Sequence, residues 1–473
     1  RASSHIRRLP TARALCVLVD AEGHSGTHMT ANPPTNLPSH LKRVVIDNGG
    51  HTCKVGFAGQ SDPERCLLNG VVKTKGPTGK VYVGDQYESC PDYSSLQYRL
   101  SLERGCLVNW DTQAEVWSRA LGADVLAVNP ADCSLLLSEI PMCPTSIQDT
   151  LDEMVFEHFG FHSYCTRPAP ALAALSIAAQ QAKQQALEAS AAPPMPASLV
   201  VDAGFSATHV VPIFGSATLN YGIKRLGLGG KLLTNHLKQV ISYRAYNVME
   251  ETHLINDVKE RLCYVSLDFD ADLALTRFRG KKNTIRREFV MPDYVNSMRG
   301  TIRDPNAPAE PAPAAAGGGA REEGAPPPQK KGRVAADRAE EQALSLSNER
   351  ITVPELLFHP SDIGIEQAGL PECIVQAAEA CPPDMREALY ANILVTGGSS
   401  RFPNFEERLQ RELRALVPSD LPIGFTAASD PTLAAWRGGS IFAAAAEYDS
   451  AVVTKEQYRE EGHALCRRRF AGA

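Results

Sequence analysis

Two carboxylates in this 473-residue chain are spaced for chemistry they can only do together. Asp47 ends the run "VVID" and Asp202 ends the run "LVVD". Each is followed two positions later by a glycine, Gly49 or Gly204, and then by a second β-rich run, "HTCKVGF" or "SATHVVPI". A turn of small residues presents successive backbone N–H groups to phosphate oxygens without obstruction. Two carboxylates facing each other across a cleft can hold a hydrated Mg²⁺ on those phosphates. A third element, "LVTGGSSRFP", brings Gly397 and Gly398 to a strand end, where backbone can approach an adenine or ribose closely. The plainer alternative makes Asp47 and Asp202 Asx-turn residues in ordinary hairpins. Repetition of the whole unit, followed by the Gly-Gly strand, favours a two-loop nucleotide clamp.

The elements that must position these groups are legible as pattern. "RVVIDNGG", "SLVVDAG" and "ANILVTGG" are short β-rich runs closed by glycine turns, as buried strands are. "SIQDTLDEMVFEHFGF", "GGKLLTNHLKQVISYRAY" and "FPNFEERLQRELRALVP" space their apolar residues as amphipathic helices do. The class is therefore α/β. Net charge is −6, which excludes the broad basic surface that binds nucleic acid by counterion release. The twelve cysteines are scattered with no Cys-x-x-Cys pair, which argues against a zinc knuckle and fits a reducing compartment. No apolar run approaches the length of a membrane span.

Residues 1–40 read as a disordered extension or as an over-extended start upstream of Met29; their Arg-rich, acid-poor opening also has the character of a transit peptide. Two low-complexity stretches interrupt the globular pattern. Residues 178–197 begin as a helix and end in Pro and Ala, and residues 303–341 have too little apolar content to pack. The second is expected to be a disordered surface insertion. Its Lys330, Lys331 and Arg333 form either a nuclear-import patch or part of a solvated loop.

From about Leu41 onward the chain resembles the actin superfamily. "DNGGHTCKVGFAG" and "VDAGFSATHVVPI" are similar to its two phosphate loops, and "VKERLCYVSLDF" to the segment beside the nucleotide base. "YVGD", "LVNWD", "LYANILVTGG", "WRGGSI" and the closing "YREEGHALCRRRF" follow in the same order. The resemblance implies a two-lobed fold of duplicated ribonuclease-H-like domains around a nucleotide cleft. Residues 41–197 with 435–473 would form one lobe, and 198–434 the other, with the insertion inside it. It assigns Asp47, Asn48, Gly49 and Lys54 to the first loop, and Asp202, Gly204 and His209 to the second. Lys259 and Glu260 would flank the base, and Gly397, Gly398 and Ser399 would form the glycine-rich turn. ATP and Mg²⁺ are the implied cofactors, with Asp47 and Asp202 on the metal. Simpler roles stand beside these: His209 as a hydrogen-bonded core histidine, Lys259 and Glu260 as a solvated helix face, Trp110 and Trp436 as core.

Other segments, including "GGKLLTNHLKQVISYR", "NERITVPELLFHPSDIGI" and "VVTKEQYREEGH", resemble a nuclear actin-related branch. That resemblance implies a subunit of an SWR-type chromatin-remodelling complex, which places the Z variant of histone H2A into nucleosomes, with the other subunits and histones as partners. The departures from actin concern turnover and assembly. His51 stands for a glycine, Phe205 for an acid, Thr432 for a base-contacting lysine, and Glu153 for the glutamine that orients attacking water. A carboxylate near a γ-phosphate repels it more readily than it activates water. Residues 59–82 lack the length of actin's mobile loop, and Asp362 interrupts an apolar filament plug, where a charge would need desolvation. The expectation is a nuclear, non-polymerising protein that binds nucleotide without efficient hydrolysis. The competing reading is a cytoplasmic actin-like ATPase that forms filaments; a sugar kinase of the same fold lacks any further sugar-site signal.

Overall fold

The computed structural model describes residues 37–38, 40–75, 79–90, 93, 96–187, 197–292, 299–307 and 342–470. The readings of residues 1–36 and of most of the insertion, with its basic patch, therefore lie outside the described residues.

Two mixed sheets carry the fold, and they repeat one plan. In the first, the strands Lys42–Asn48 and Thr52–Phe57 form an antiparallel hairpin. Cys133–Glu139 adds parallel to Lys42–Asn48, and Ser163–Pro168 adds parallel to Cys133–Glu139. Arg65–Leu68 and Val453–Thr454 close the two edges. In the second sheet Ala197–Ala203 and Thr208–Phe214 form the hairpin, Ile393–Thr396 adds parallel, and Phe425–Ala427 adds parallel to that. The fold is the duplicated α/β architecture expected from the repeat.

Strands at the centre of a parallel sheet are covered on both faces, so their sequences are continuously apolar rather than alternating. Val44, Val45 and Ile46 accordingly lie within one core with Val116 and Trp117 of the helix Trp110–Leu121, and with Trp436 of the helix Ala434–Ala444. The indole of Trp436 donates to the Val45 carbonyl at 3.1 Å, which makes it a core residue as its pattern suggested. Trp110 packs, partly buried, against the same core. A second core gathers Leu199, Val201 and Val210 of the second hairpin with Leu233 and Leu237 of the helix Gly230–Arg244 and Val258 of the helix Thr252–Leu262. The helices Ala169–Leu187 and Ala434–Ala444 pack on each other. The first follows the strand Ser163–Pro168 and leads toward the second sheet; the other leads back from it.

Two smaller sheets bear on the sequence reading. Gly70–Thr74 pairs with Val81–Val83 and Leu96–Leu100, so the segment corresponding to a mobile loop is reduced to residues 75–80 between two strands. Thr301–Arg303 and Ala343–Leu346 both pair with Arg287–Val290. The insertion thus leaves and re-enters the same sheet, but it starts later than Arg303, which is strand and ion-pairs with Glu288 at 3.0 Å. The stretch from residue 178 begins as a helix, as expected: the helix Ala169–Leu187 runs through its first ten positions.

Candidate functional site

The two hairpins aim their turns at each other. Asp47 lies directly opposite Lys54 in the first ladder, and Asp202 directly opposite His209 in the second. Each carboxylate thus faces a basic residue seven positions on, yet the surroundings differ. Asp47 is 5% exposed and doubly held: Lys54 donates to one oxygen at 2.9 Å, and the Ser138 hydroxyl to the other at 2.6 Å. Burial alone would push Lys54 down, but the Asp47 carboxylate keeps it above the usual lysine range. Asp202 has no such counter-charge of its own. Burial, and then the negative charge of Asp47, push it up to about 6, with Lys54 acting only in partial opposition. His209 cannot help, because burial and Arg225 push it down to about 4 and leave it neutral near pH 7. Its Nε2 is buried without a hydrogen-bond partner.

These groups line a cavity of about 750 Å³. Asn48, Gly49, Gly204, Lys259, Glu260, Gly397, Gly398 and Ser399 line it as well, so the residues expected on the two loops, beside the base and in the glycine-rich turn meet in one place. Gly397 follows Thr396, which pairs with Asp202, and has φ +90° with the Ala203 carbonyl where a Cβ would stand, 2.4 Å away. Only glycine fits there. Ser399 donates to the Gly204 carbonyl at 3.3 Å, tying this turn to the second loop. Lys259 is 4% exposed, and its ammonium donates to Gly230 O, Thr234 Oγ1 and Asn256 Oδ1 at 2.9–3.1 Å. All three of its hydrogens are thereby used, so it braces two helices. Glu260 is exposed and accepts from Asn256 at 2.7 Å.

A match to the actin family model covers residues 39–471. The chain belongs to the actin family. Among curated proteins it is similar to actin-related protein 6 of Oryza sativa subsp. indica, 42% identical over 430 residues, covering 90% of this chain and 98% of the relative. Actin-related protein 6 of Arabidopsis thaliana is 41% identical over 438 residues, with 90% and 99% covered, and that of Drosophila melanogaster 36% over 419 residues, with 89% and 97% covered.

Against the actin-family expectation, one position must be corrected. Glu153 does not reach the cleft: its side chain is 56% exposed and lies 3.7 Å from His463 of the C-terminal helix His463–Phe470. The cavity wall beyond the strand Ser163–Pro168 is formed instead by Ala169 and Ala173, which carry no group that could orient water. Thr432 does line the cavity and is fixed by Asp430, which accepts from its N–H and hydroxyl. Asp362 is exposed on the short turn Pro360–Ile363.

Other residues of this actin-family cleft were not singled out from sequence. Ser138 anchors both Asp47 and the Asn48 N–H; a serine near the end of the apolar run "CSLLLSE" is the signal that could have found it. Beneath the first turn, Asn69, Gln113 and Ser101 form a buried network with Asn48, in which Asn69 also donates to the Gly49 carbonyl at 2.8 Å. At the tips the loops touch. A Cβ on Gly50 would stand 2.1 Å from Ser206 Oγ, and the ring of His51 lies 4.6 Å from that of Phe205. The two substitutions noted separately in the sequence are therefore one aromatic contact across the cleft. Burial, then Lys259, Lys54 and His253, push His51 down to about 4, so this contact is uncharged near pH 7.

The cavity suits a magnesium-bound nucleotide on its own chemistry. Asp202 is a carboxylate whose charge burial and Asp47 disfavour and a cation would compensate, and the buried His209 Nε2 has no hydrogen-bond partner. Asp47 and Asp202 are the residues that would hold the metal.

Proposed function

We propose that this protein is a non-polymerising, nuclear actin-related subunit of an SWR-type chromatin-remodelling complex, which deposits the Z variant of histone H2A and so affects transcription. ATP with Mg²⁺ serves it as a structural ligand that holds the cleft closed. The cellular part of the reading is supported by the similarity to actin-related protein 6 over about 90% of the chain, and the ligand part by the cleft. A cleft with paired carboxylates and an open histidine nitrogen is built to bind, while the alanine-lined wall beside it is not built to activate water. Asn48, Gly49, Lys54, Gly204, Gly397, Gly398 and Ser399 surround the ligand, and Lys259 and Glu260 lie at its base end. Bound Mg²⁺ would neutralise phosphate charge; the chain's own residues position and enclose.

Nucleotide extracted from the purified native protein is the direct test. Stoichiometric ATP from the parent, and little from Asp202→Ala, is the expected result. Recovered ADP, with phosphate release and pelleting in polymerising salt, would instead establish a filament-forming ATPase. For the cellular role, tagged protein should co-purify with an SWR-type ATPase and histone-variant subunits, and their absence would refute it.

A further inference from the structure

Just past the helix Phe269–Thr276 the chain reads "RFRGKK", and it sets cations around one aromatic ring. Arg277, Phe278, Arg279, Lys281 and Lys282 are all exposed, the ring of Phe278 by half. Among the described residues none of these four cations has a carboxylate within ion-pair distance. We propose that this loop is a docking surface for an acidic segment of a partner protein, whose carboxylates meet the four cations and whose apolar side chain covers Phe278.

The loop is held from beneath. Asn283 is 3% exposed, and its side-chain NH2 donates to the Ser347 hydroxyl at 2.9 Å and to the Thr276 carbonyl at 3.1 Å, with the Phe278 carbonyl also in reach at 3.3 Å. Its side-chain oxygen accepts from the N–H groups of Ile285 and Arg286 at 3.2 and 3.0 Å. One buried amide thus ties together both ends of the turn that carries the cations. The ordering of this backbone is met in folding, so a partner does not meet it on binding. The cations beside the loop are already spent: Arg286 and Arg303 each pair with Glu288 at 3.0 Å, and Arg287 pairs with Asp304 at 3.4 Å. The acids of this surface therefore serve the inner arginines, and the outer four are left to repel one another. Arginine offers carboxylates a planar fork of donors, and arginine and aromatic side chains are the types enriched at protein interfaces. A nucleic acid is the other polyanion to weigh, but its affinity grows with the number of phosphates neutralised along a track. Four cations in one turn of a chain with net charge −6 make a short track, and a phosphate backbone makes no use of Phe278. None of the loop residues lines the nucleotide cavity, so the surface is independent of what that cavity holds.

The test is fluorescence anisotropy with the full chain and a short labelled peptide of glutamates interrupted by phenylalanines. The same peptide with glutamine for glutamate, and labelled single- and double-stranded DNA, serve as rivals. The acidic peptide should bind, the glutamine peptide should not, and added salt should weaken the binding. Affinity should fall at least tenfold when Arg277→Glu and Arg279→Glu are combined, with the melting temperature unchanged because both side chains are exposed and unpaired. Phe278→Ser should weaken it several-fold and leave its salt dependence as in the parent, since no charge is lost. Failure of the acidic peptide to bind, or equal binding by the parent and the Arg277→Glu, Arg279→Glu variant, would overturn the proposal. So would tighter binding of either DNA than of the peptide, which would make the loop a nucleic-acid surface.

Discussion

The two hairpins are the same device under different electrostatic management. Both end a buried strand in aspartate, turn on small residues and return a basic side chain opposite the acid. In the first, Lys54 and Ser138 satisfy Asp47 within the protein. In the second, a neutral histidine stands where the lysine would be, and Asp202 is left against the charge of Asp47. The first hairpin is thus compensated from within, whereas the second gains from something positive in the cleft. The two hairpins share one geometry; one cross-strand residue decides whether the aspartate carries its own counter-charge.

The largest effect should come from breaking the compensated hairpin. Lys54→Met removes the counter-charge from a buried carboxylate and leaves Asp47 and Asp202 facing each other, so stability should fall by about 3 kcal/mol or more in urea denaturation. Asp202→Asn should do the reverse. It removes an acid held about two pH units above its ordinary value, and without nucleotide it should stabilise the protein by about 2 kcal/mol near pH 7. It should also abolish retention of Mg-ATP. Equal destabilisation by both variants would mean that the hairpins are not differentiated.

The pH dependence sharpens the same contrast. A carboxyl whose folded pKa is raised binds more protons folded than unfolded, so its contribution declines as pH rises from about 4 to about 6 and is flat above. His51 and His209 act oppositely: both are pushed down to about 4, and their penalty appears as pH falls below about 6.5. These histidines remain in Asp202→Asn. The stability difference between variant and parent should therefore isolate the aspartate, growing from near zero at pH 4 to its full value above pH 6. Stabilisation of the parent by Mg-ATP should rise over the same interval, followed as the shift in melting temperature. A difference independent of pH would show that Asp202 is not held protonated.

What the sequence made legible follows the same division. The hairpins, the Gly-Gly strand and the helices were readable because each is specified locally, by apolar runs closed with turn residues. The convergence of Asp47, Asp202 and Gly397 was readable because the unit repeats. Ser138 and the Asn69–Gln113 network were not, because they reach the first loop from strands and helices distant in sequence, and nothing local marks a buried serine as an anchor. Glu153 failed for a related reason. Its helix is correctly visible in the apolar spacing, but which way that helix faces is set by packing against the C-terminal helix, where Asp152 accepts from His463 at 3.0 Å and Arg467 at 2.6 Å. Lys259 lines the cavity, yet only the structure reveals that its hydrogens are already used.

The smallest effect tests where the two hairpins meet. His51 and Phe205 were each legible as departures from a family pattern. Their rings meet across the cleft, 4.6 Å apart and tilted by 32°. Such a pair contributes about 0.5–1.5 kcal/mol beyond its buried area. A cycle of His51→Ala, Phe205→Ala and the double variant should return a coupling of about 1 kcal/mol. If the contact does no more than stiffen the apo protein, nucleotide release will be the same in all four. If it joins a self-sufficient first hairpin to a second that depends on its ligand, loss of either ring should speed release of a fluorescent ATP analogue several-fold. Loss of both should then add little more, because a contact between two rings is lost completely when the first is removed.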